Sequence, residues 1–250
     1  MMDRRSFLKT VLSFLAASGG VLAGFLKVAP AGAQAAAEPA GKLWGFGVNA
    51  DKCIGCARCV VACKTENNVP KEPFFYRTWV ERYMIPNEGD AIVTNIHMGL
   101  TPEEEEAPST KGILRSFFVP KLCNQCERPP CVQVCPVGAT FQTRDGVVLV
   151  NDRTCIGCRY CIQACPYGAR YLHPATNTAD KCTFCYHRLN RDLLPACVEV
   201  CPTQARVIGD LHSVASPMTR FKRMNKIFVL KPNLNTEPKV LYANIDGEVR

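Results

Sequence analysis

Four short stretches hold all sixteen cysteines of the 250-residue chain, four to a stretch. CIGCARCVVAC supplies Cys53, Cys56, Cys59 and Cys63; CNQCERPPCVQVCP supplies Cys123, Cys126, Cys131 and Cys135. CIGCRYCIQACP supplies Cys155, Cys158, Cys161 and Cys165; CTFC and a later CVEVCP supply Cys182, Cys185, Cys197 and Cys201. A chain that crowds its thiols in this way must either bridge them as disulfides or wrap them around metal, and the spacing separates the two.

Eight disulfides are possible, because the count is even. Yet 16 cysteines in 250 residues fall below the ~8–10% of short disulfide scaffolds, and a chain of this length builds a core without covalent staples. Zinc accepts four thiolates, but structural zinc sites pair two separated knuckles with two ligands from each. In the first and third groups three ligands cluster as C-x-x-C-x-x-C and a fourth follows after three residues. That spacing suits an iron-sulfur cubane, in which one tight loop reaches three irons. In bacterial ferredoxins the fourth cysteine of such a run ligates the other cluster and a proline follows it. Pro136, Pro166 and Pro202 hold that position, and Lys64 replaces proline in the first group. No C-x-x-C-H is present for haem attachment.

A formal charge of +8 would suit nucleic acid or an anionic membrane surface. Residues 1–33, however, carry four basic side chains against Asp3, so the remainder carries +5. An oxidised 4Fe-4S core of charge 2+ on four thiolates adds about −2, and four such sites bring the chain to about −3. The apparent basicity then disappears. At 47% hydrophobic and 21% charged the chain is an ordinary globular mixture, neither disordered nor multi-span.

MMDRRSFLKTVLSFLAASGGVLAGFLKVAPAGA, residues 1–33, has the charged start, apolar middle and small-residue end of an export signal. Arg4-Arg5 before Ser6-Phe7-Leu8-Lys9 resembles a twin-arginine signal, which implies a periplasmic protein exported already folded. Ala31-Gly32-Ala33 fits an A-x-A cleavage site and Ala35-Ala36-Ala37 offers another; an uncleaved membrane anchor is the alternative. No later segment approaches ~18 continuous apolar residues, so membrane contact is expected through a partner.

LWGFGVNA matches G-x-G-x-x-A, but it enters the first cysteine loop where a nucleotide-binding helix should start. It is expected to be a short strand. Some 59 residues separate the first group from the second, against 19 and 16 between later groups. FFYRTWVERYMI and AIVTNIHMGL read as strands in this insertion, and TPEEEEAPST as a solvated loop. After Cys201, QARVIGDL, a basic TRFKRMNK, IFVLKP and KVLYANI are expected to form a small appendage.

These four groups, with TADKCTFCYHRL and LLPACVEVCP as they stand, resemble the four-cluster iron-sulfur subunits of the dimethyl sulfoxide reductase superfamily over most of residues 44–210. Within it the pattern is most similar to the tetrathionate reductase iron-sulfur subunits, down to VLKP near the end. The resemblance implies an α+β fold of two nested bacterial-ferredoxin-like two-cluster domains with a small β-rich insertion and a C-terminal appendage. Residues 44–63 and 176–210 would form the outer domain, 64–114 the insertion, 115–175 the inner domain and 211–250 the appendage. It also implies a ligand exchange that spacing alone leaves open. Cys53, Cys56 and Cys59 take Cys201; Cys182, Cys185 and Cys197 take Cys63; Cys123, Cys126 and Cys131 take Cys165; Cys155, Cys158 and Cys161 take Cys135. Some relatives hold a 3Fe-4S cluster where a ligand is replaced; every cysteine is kept here, so four 4Fe-4S clusters are expected.

The resemblance implies a non-catalytic electron-transfer subunit that links a membrane quinol-interacting subunit to a molybdopterin catalytic subunit, peripheral to the periplasmic face of the inner membrane. The alternatives are a periplasmic iron-sulfur subunit of a hydrogenase or sulfur-metabolism complex without a molybdopterin partner, and a zinc-stabilised interaction protein. Arg58, Arg159, Tyr160, Tyr167 and Tyr186 lie in or beside the motifs and are read as packing and solvation. His97, His173, His187 and His212 have no metal-ligand spacing.

Overall fold

The computed structural model of the chain describes residues 41–72, 74–96, 112–245, 247 and 249. The signal-like segment 1–33 and the acidic run 101–110 lie outside them. In chain order the elements are β1 (Trp44–Asn49), α1 (Arg58–Glu66), β2 (Thr78–Pro86), β3 (Ile92–Ile96), β4 (Ile113–Leu122), α2 (Pro130–Gln133), β5 (Thr140–Gln142), β6 (Val148–Val150) and α3 (Tyr160–Gln163). Then follow β7 (Arg170–Leu172), β8 (Ala179–Lys181), α4 (Tyr186–Leu189), α5 (Ala196–Glu199), β9 (Arg206–Asp210), α6 (Pro217–Met224), β10 (Ile227–Phe228) and β11 (Val240–Ala243). Short helices accompany small, largely antiparallel sheets.

The helices that carry cysteine are short for a local reason. α2, α3 and α5 have four residues each, and each stops before a Cys-Pro pair. Proline disfavours helical geometry in the residue before it, so Cys135, Cys165 and Cys201 leave the helix axis. Without that proline, α1 runs on through Lys64 for nine residues. The buried Lys64 ammonium then donates to the carbonyls of Pro70, Lys71 and Glu72 at 3.0, 3.1 and 2.8 Å, pinning the loop that follows.

β1 lies inside the four-stranded sheet β10-β11-β1-β9. It pairs antiparallel with β9, Phe46 opposite Ile208, and parallel with β11, Val48 opposite Tyr242. Covered on both faces, it reads as a near-continuous buried run. The glycines that imitated a nucleotide motif are steric necessities, since a Cβ on Gly45 would meet Leu211 and one on Gly47 would meet Val207, each at 2.5 Å. Phe46 stacks on Phe184 of the last cysteine group with ring centres 5.4 Å apart.

The tail departs from its expected role as an appendage. β11 is an integral strand beside β1, and Val240, Tyr242 and Ala243 are fully buried in the core. KVLYANI is β-branched and aromatic enough to be a strand, but its partner lies some 190 residues upstream, a distance over which local pattern carries no pairing information. The basic TRFKRMNK falls largely in α6, capped by Ser216, whose Oγ accepts from the Met218 amide at 3.2 Å.

Between the first and second cysteine groups, β3-β2-β4 forms an antiparallel sheet. β4 runs from Ile113 to Leu122, delivering the chain directly into Cys123. Two hairpin-like pairs, β5-β6 and β7-β8, frame the middle cysteine groups. Gln125, fully buried, ties the second group to the fourth: its Nε2 donates to the Cys182 carbonyl and its Oε1 accepts from the Val148 amide, both at 2.7 Å.

Candidate metal centres

The loops between the first two cysteines of each group turn through the left-handed region. Gly55, Gln125, Gly157 and Phe184 have φ of 73°, 45°, 68° and 55°. Left-handed residues beside right-handed ones turn successive backbone N–H groups inward, making a concavity for anions such as cluster sulfur. At Gly157 a side chain is also excluded sterically, because a Cβ would lie 2.4 Å from the Asn177 carbonyl oxygen.

Cysteines from different groups meet around three small cavities. Cys53, Cys56, Cys59 and Cys201 line one. Cys63, Cys182, Cys185 and Cys197 line a second. Cys123, Cys126, Cys131 and Cys165 line a third. In each, three thiols of one group meet the last thiol of another. Of the remaining four, Cys155 and Cys161 share a small apolar cluster with Cys131 and Val148, Cys158 is exposed and Cys135 is half-buried.

Whether these cavities suit an iron-sulfur core is decided by their donors. Their linings contain four thiols each and no carboxylate or imidazole. Among the described residues, no three His, Cys, Asp or Glu side chains converge on one point as a single ion requires; the thiols stand around a volume instead. Backbone N–H groups reach sulfur from Ala205 to Cys201 at 3.3 Å, Phe184 to Cys182 at 3.4 Å, Ala179 to Cys155 at 3.4 Å and Thr140 to Cys135 at 3.5 Å. The Asn67 amide donates to both Cys63 and Cys185 sulfurs at 3.6 Å, and Arg77 holds Asn67 in place by donating to its Oδ1 at 2.9 Å. Asn124, buried against the third cavity, has neither side-chain polar atom partnered within the described residues. The residues fit the group.

Burial pushes the Cys53 thiol up to about 11 and those of Cys126 and Cys197 up to about 12. Cys63, Cys131, Cys165 and Cys182 are raised in the same way, with neighbouring thiols adding to the effect. Cys135 goes the other way: burial raises it, but backbone N–H groups of Thr140, Val137 and Ala139 outweigh that and lower it. Crowded, desolvated thiols resist ionising together. A metal core supplies the positive charge that lets them do so, releasing their protons on binding.

Beside these thiols stand buried or half-buried cations that sequence reasoning passed over. Arg170 lines the third cavity and Arg206 the first. Lys181 donates to the carbonyls of Val148 and Cys182, and Arg77 pairs with Asp180 at 2.8 Å. By contrast Arg58, Arg159 and Tyr160 are exposed, Tyr186 donates to Asp145 at 3.2 Å and Tyr167 contacts Thr236. The signal was available for two of the cations: C-P-Y-G-A-R and C-P-T-Q-A-R repeat an arginine five residues after the last cysteine.

Two sequence families, each described as a 4Fe-4S dicluster domain, match residues 52–139 and 114–211. The sequence is similar to that of a tetrathionate reductase subunit of Salmonella typhimurium, 46% identical over 78% of this chain and 70% of that one. Its likeness to a tetrathionate reductase subunit of Archaeoglobus fulgidus is 43% over 80% and 81% of the two chains. A polysulfide reductase chain of Wolinella succinogenes is 37% identical over 80% of this chain and 93% of that one.

Proposed function

Because this protein belongs to the iron-sulfur electron-transfer subunits of the dimethyl sulfoxide reductase superfamily, we propose that it passes single electrons between a membrane quinol-interacting subunit and a molybdopterin catalytic subunit. Four 4Fe-4S clusters supply the one-electron sites. The relatives named above are reductase subunits, which favours this reading over the hydrogenase alternative.

The observation that carries it is the meeting of distant cysteines around separate cavities that succeed one another. The first site, of Cys53, Cys56, Cys59 and Cys201, neighbours the second, of Cys63, Cys182, Cys185 and Cys197, since the Cys59 and Cys197 thiols act on one another. The second neighbours the third, of Cys123, Cys126, Cys131 and Cys165, through Cys182 and Cys123. The third neighbours a fourth, of Cys155, Cys158, Cys161 and Cys135, where Cys131 packs near Cys161. Such a succession is a wire. Its two terminal sites are those with exposed thiols, Cys56 and Cys158. Beside them Ile54 and Ile156 are 59% and 64% exposed, apolar contacts for the partners at either end.

In this reading residues 44–63 and 176–210 are the outer ferredoxin-like unit, tied together by β1 and β9; Glu66, at the start of the insertion, accepts from Arg188 of that unit at 2.8 Å. Residues 115–175 are the nested inner unit, and 64–114 the insertion. Among the described residues no helix is long and apolar enough to cross a membrane. The protein works at the periplasmic face, brought there by the twin-arginine signal of residues 1–33 and held by its membrane partner.

Iron and acid-labile sulfide on anaerobically prepared protein test the reading, with reductive titration followed by electron paramagnetic resonance. About sixteen of each per chain, with magnetically coupled reduced clusters, is the expected result. Zinc without sulfide would overturn it. Replacing Arg4 and Arg5 by lysine should retain the protein in the cytoplasm, and unchanged export would refute the signal assignment.

A further inference from the structure

Arg170 and Arg206 occupy equivalent places in the repeated C-P-x-x-A-R stretch, and each opens a strand, β7 and β9. They are only 5% and 3% exposed, and a guanidinium stays protonated at any accessible pH. Among the described residues neither pairs with a carboxylate. Arg170 donates to Cys131 Sγ at 3.0 Å and to Thr140 Oγ1 at 3.4 Å. Arg206 donates to Thr78 Oγ1 at 2.9 Å. Arg170 Nε and Arg206 Nη1 are buried with no partner within the described residues. An isolated buried cation is among the most costly groups a protein can hold, so each must face an anion.

The anions in reach are cysteine sulfurs, and each arginine reaches two sites. Arg206 lines the first cavity and donates to Thr78, which lines the second. Arg170 lines the third cavity, where it donates to Cys131 Sγ, and it donates also to Thr140, whose backbone N–H reaches the Cys135 sulfur of the fourth site. Each half of the molecule thus has one guanidinium without a carboxylate partner, among the described residues, lodged between its two sites.

We propose that Arg206 and Arg170 are potential-setting residues, each shared by the two iron-sulfur sites of its half and raising the potential of both. The inference rests on the four-site reading above. An incoming electron makes a site more negative, and a fixed neighbouring cation stabilises that state more than the oxidised one. Because the cation is shared, it raises the two potentials together.

The test uses the full-length holoprotein with R206Q, R206K, R170Q and R170K, measuring iron, sulfide and the resonance-monitored redox titration of each. At a fixed poise R206Q should lower the reduced-to-oxidised ratio at least tenfold, or 59 mV for a one-electron couple, at the two sites also altered by substitutions of Cys53 and Cys63. R170Q should do so at the other two. Both lysine variants should hold the ratio within threefold of wild type. Glutamine variants with full iron and unmoved ratios, or with all four sites shifted alike, would overturn the proposal. If a glutamine variant loses iron, its lysine counterpart decides: full iron with near-wild-type ratios supports a charge effect, and equal iron loss shows a structural clamp and overturns it. Wild-type protein lacking iron and sulfide would instead sink the four-site reading itself.

Discussion

Replacing Asn67 with leucine measures how far side-chain hydrogen bonds set a single site. The Asn67 amide donates to Cys63 and Cys185 sulfurs, both at 3.6 Å, while Arg77 fixes its orientation from the far side. Leucine keeps the approximate volume and removes both donors; Arg77 retains its pairing with Asp180 at 2.8 Å. Hydrogen bonds to charged groups contribute ~1.5–3 kcal/mol against ~0.5–1.5 for neutral ones. The gain when a site takes on one more negative charge is then about 1–1.5 kcal/mol per bond, or about 2–3 kcal/mol for two. For a one-electron couple, losing both bonds lowers the midpoint by about 90–130 mV. A redox titration monitored by electron paramagnetic resonance should show one site of four displaced downward. An unmoved midpoint at wild-type iron content, or displacement of a different site, would refute the reasoning.

Three further perturbations probe the scaffold. Gly157→Ala imposes about 1–2 kcal/mol of left-handed strain and sets a methyl 2.4 Å from the Asn177 carbonyl oxygen; iron should fall by about a quarter as one of four sites is lost, and full iron would contradict the tight-turn argument. Ser216→Ala removes the cap of α6, costing about 1 kcal/mol, so visible absorption should bleach at lower urea than in wild type; an unchanged urea profile would show that the cap contributes nothing. Hydrogen bonds from His187 and Arg188 hold the Glu66 carboxyl below its usual range. A depressed folded value contributes stability above the unfolded value of ~4.3 and loses it as pH falls through the folded one. Glu66→Gln should therefore hasten bleaching at pH 6 but converge with wild type on acidification, and a constant difference at all pH values would refute the ion-pair account.

The parts of the fold legible in the sequence are those fixed by neighbours along the chain. LWGFGVNA reads as a short strand and is one, β1, and the cysteine spacing marks which thiols lie together in the chain. Long-range pairing was not legible. β11 lies beside β1 because Val240 and Tyr242 bury against Phe46 and Val48, and nothing within KVLYANI distinguishes an interior strand from a surface ribbon. The buried cations were hidden for a related reason. Arginine is ordinarily a surface residue, so Arg58 and Arg159, inside the motifs, drew attention while Arg170 and Arg206, just past them, lay beside the sulfurs. Spacing revealed the ligands; only the tertiary arrangement reveals the residues that share their charge.

The exchange of last cysteines also dictates how a single defect spreads. If Cys201 completes the site of Cys53, Cys56 and Cys59, then Cys201→Ser and Cys53→Ser alter the same resonance although they stand 148 positions apart. Cys201→Ser and Cys197→Ser, four apart, alter different ones. If each group closed its own site, the pattern would reverse. Entropy favours the local choice: closing a loop of 148 rather than 19 residues costs about 2 kcal/mol more. That is small beside the binding of a structural metal, roughly 10 kcal/mol or more, and local geometry opposes the short route. Pro202 ends α5 and turns Cys201 out of its helix, the Ala205 amide fixes its sulfur at 3.3 Å, and the cavity that sulfur enters belongs to the first group. Cys201→Ser and Cys197→Ser altering one common resonance, with that of Cys53→Ser untouched, would refute the exchange and with it the succession of sites from Cys56 to Cys158.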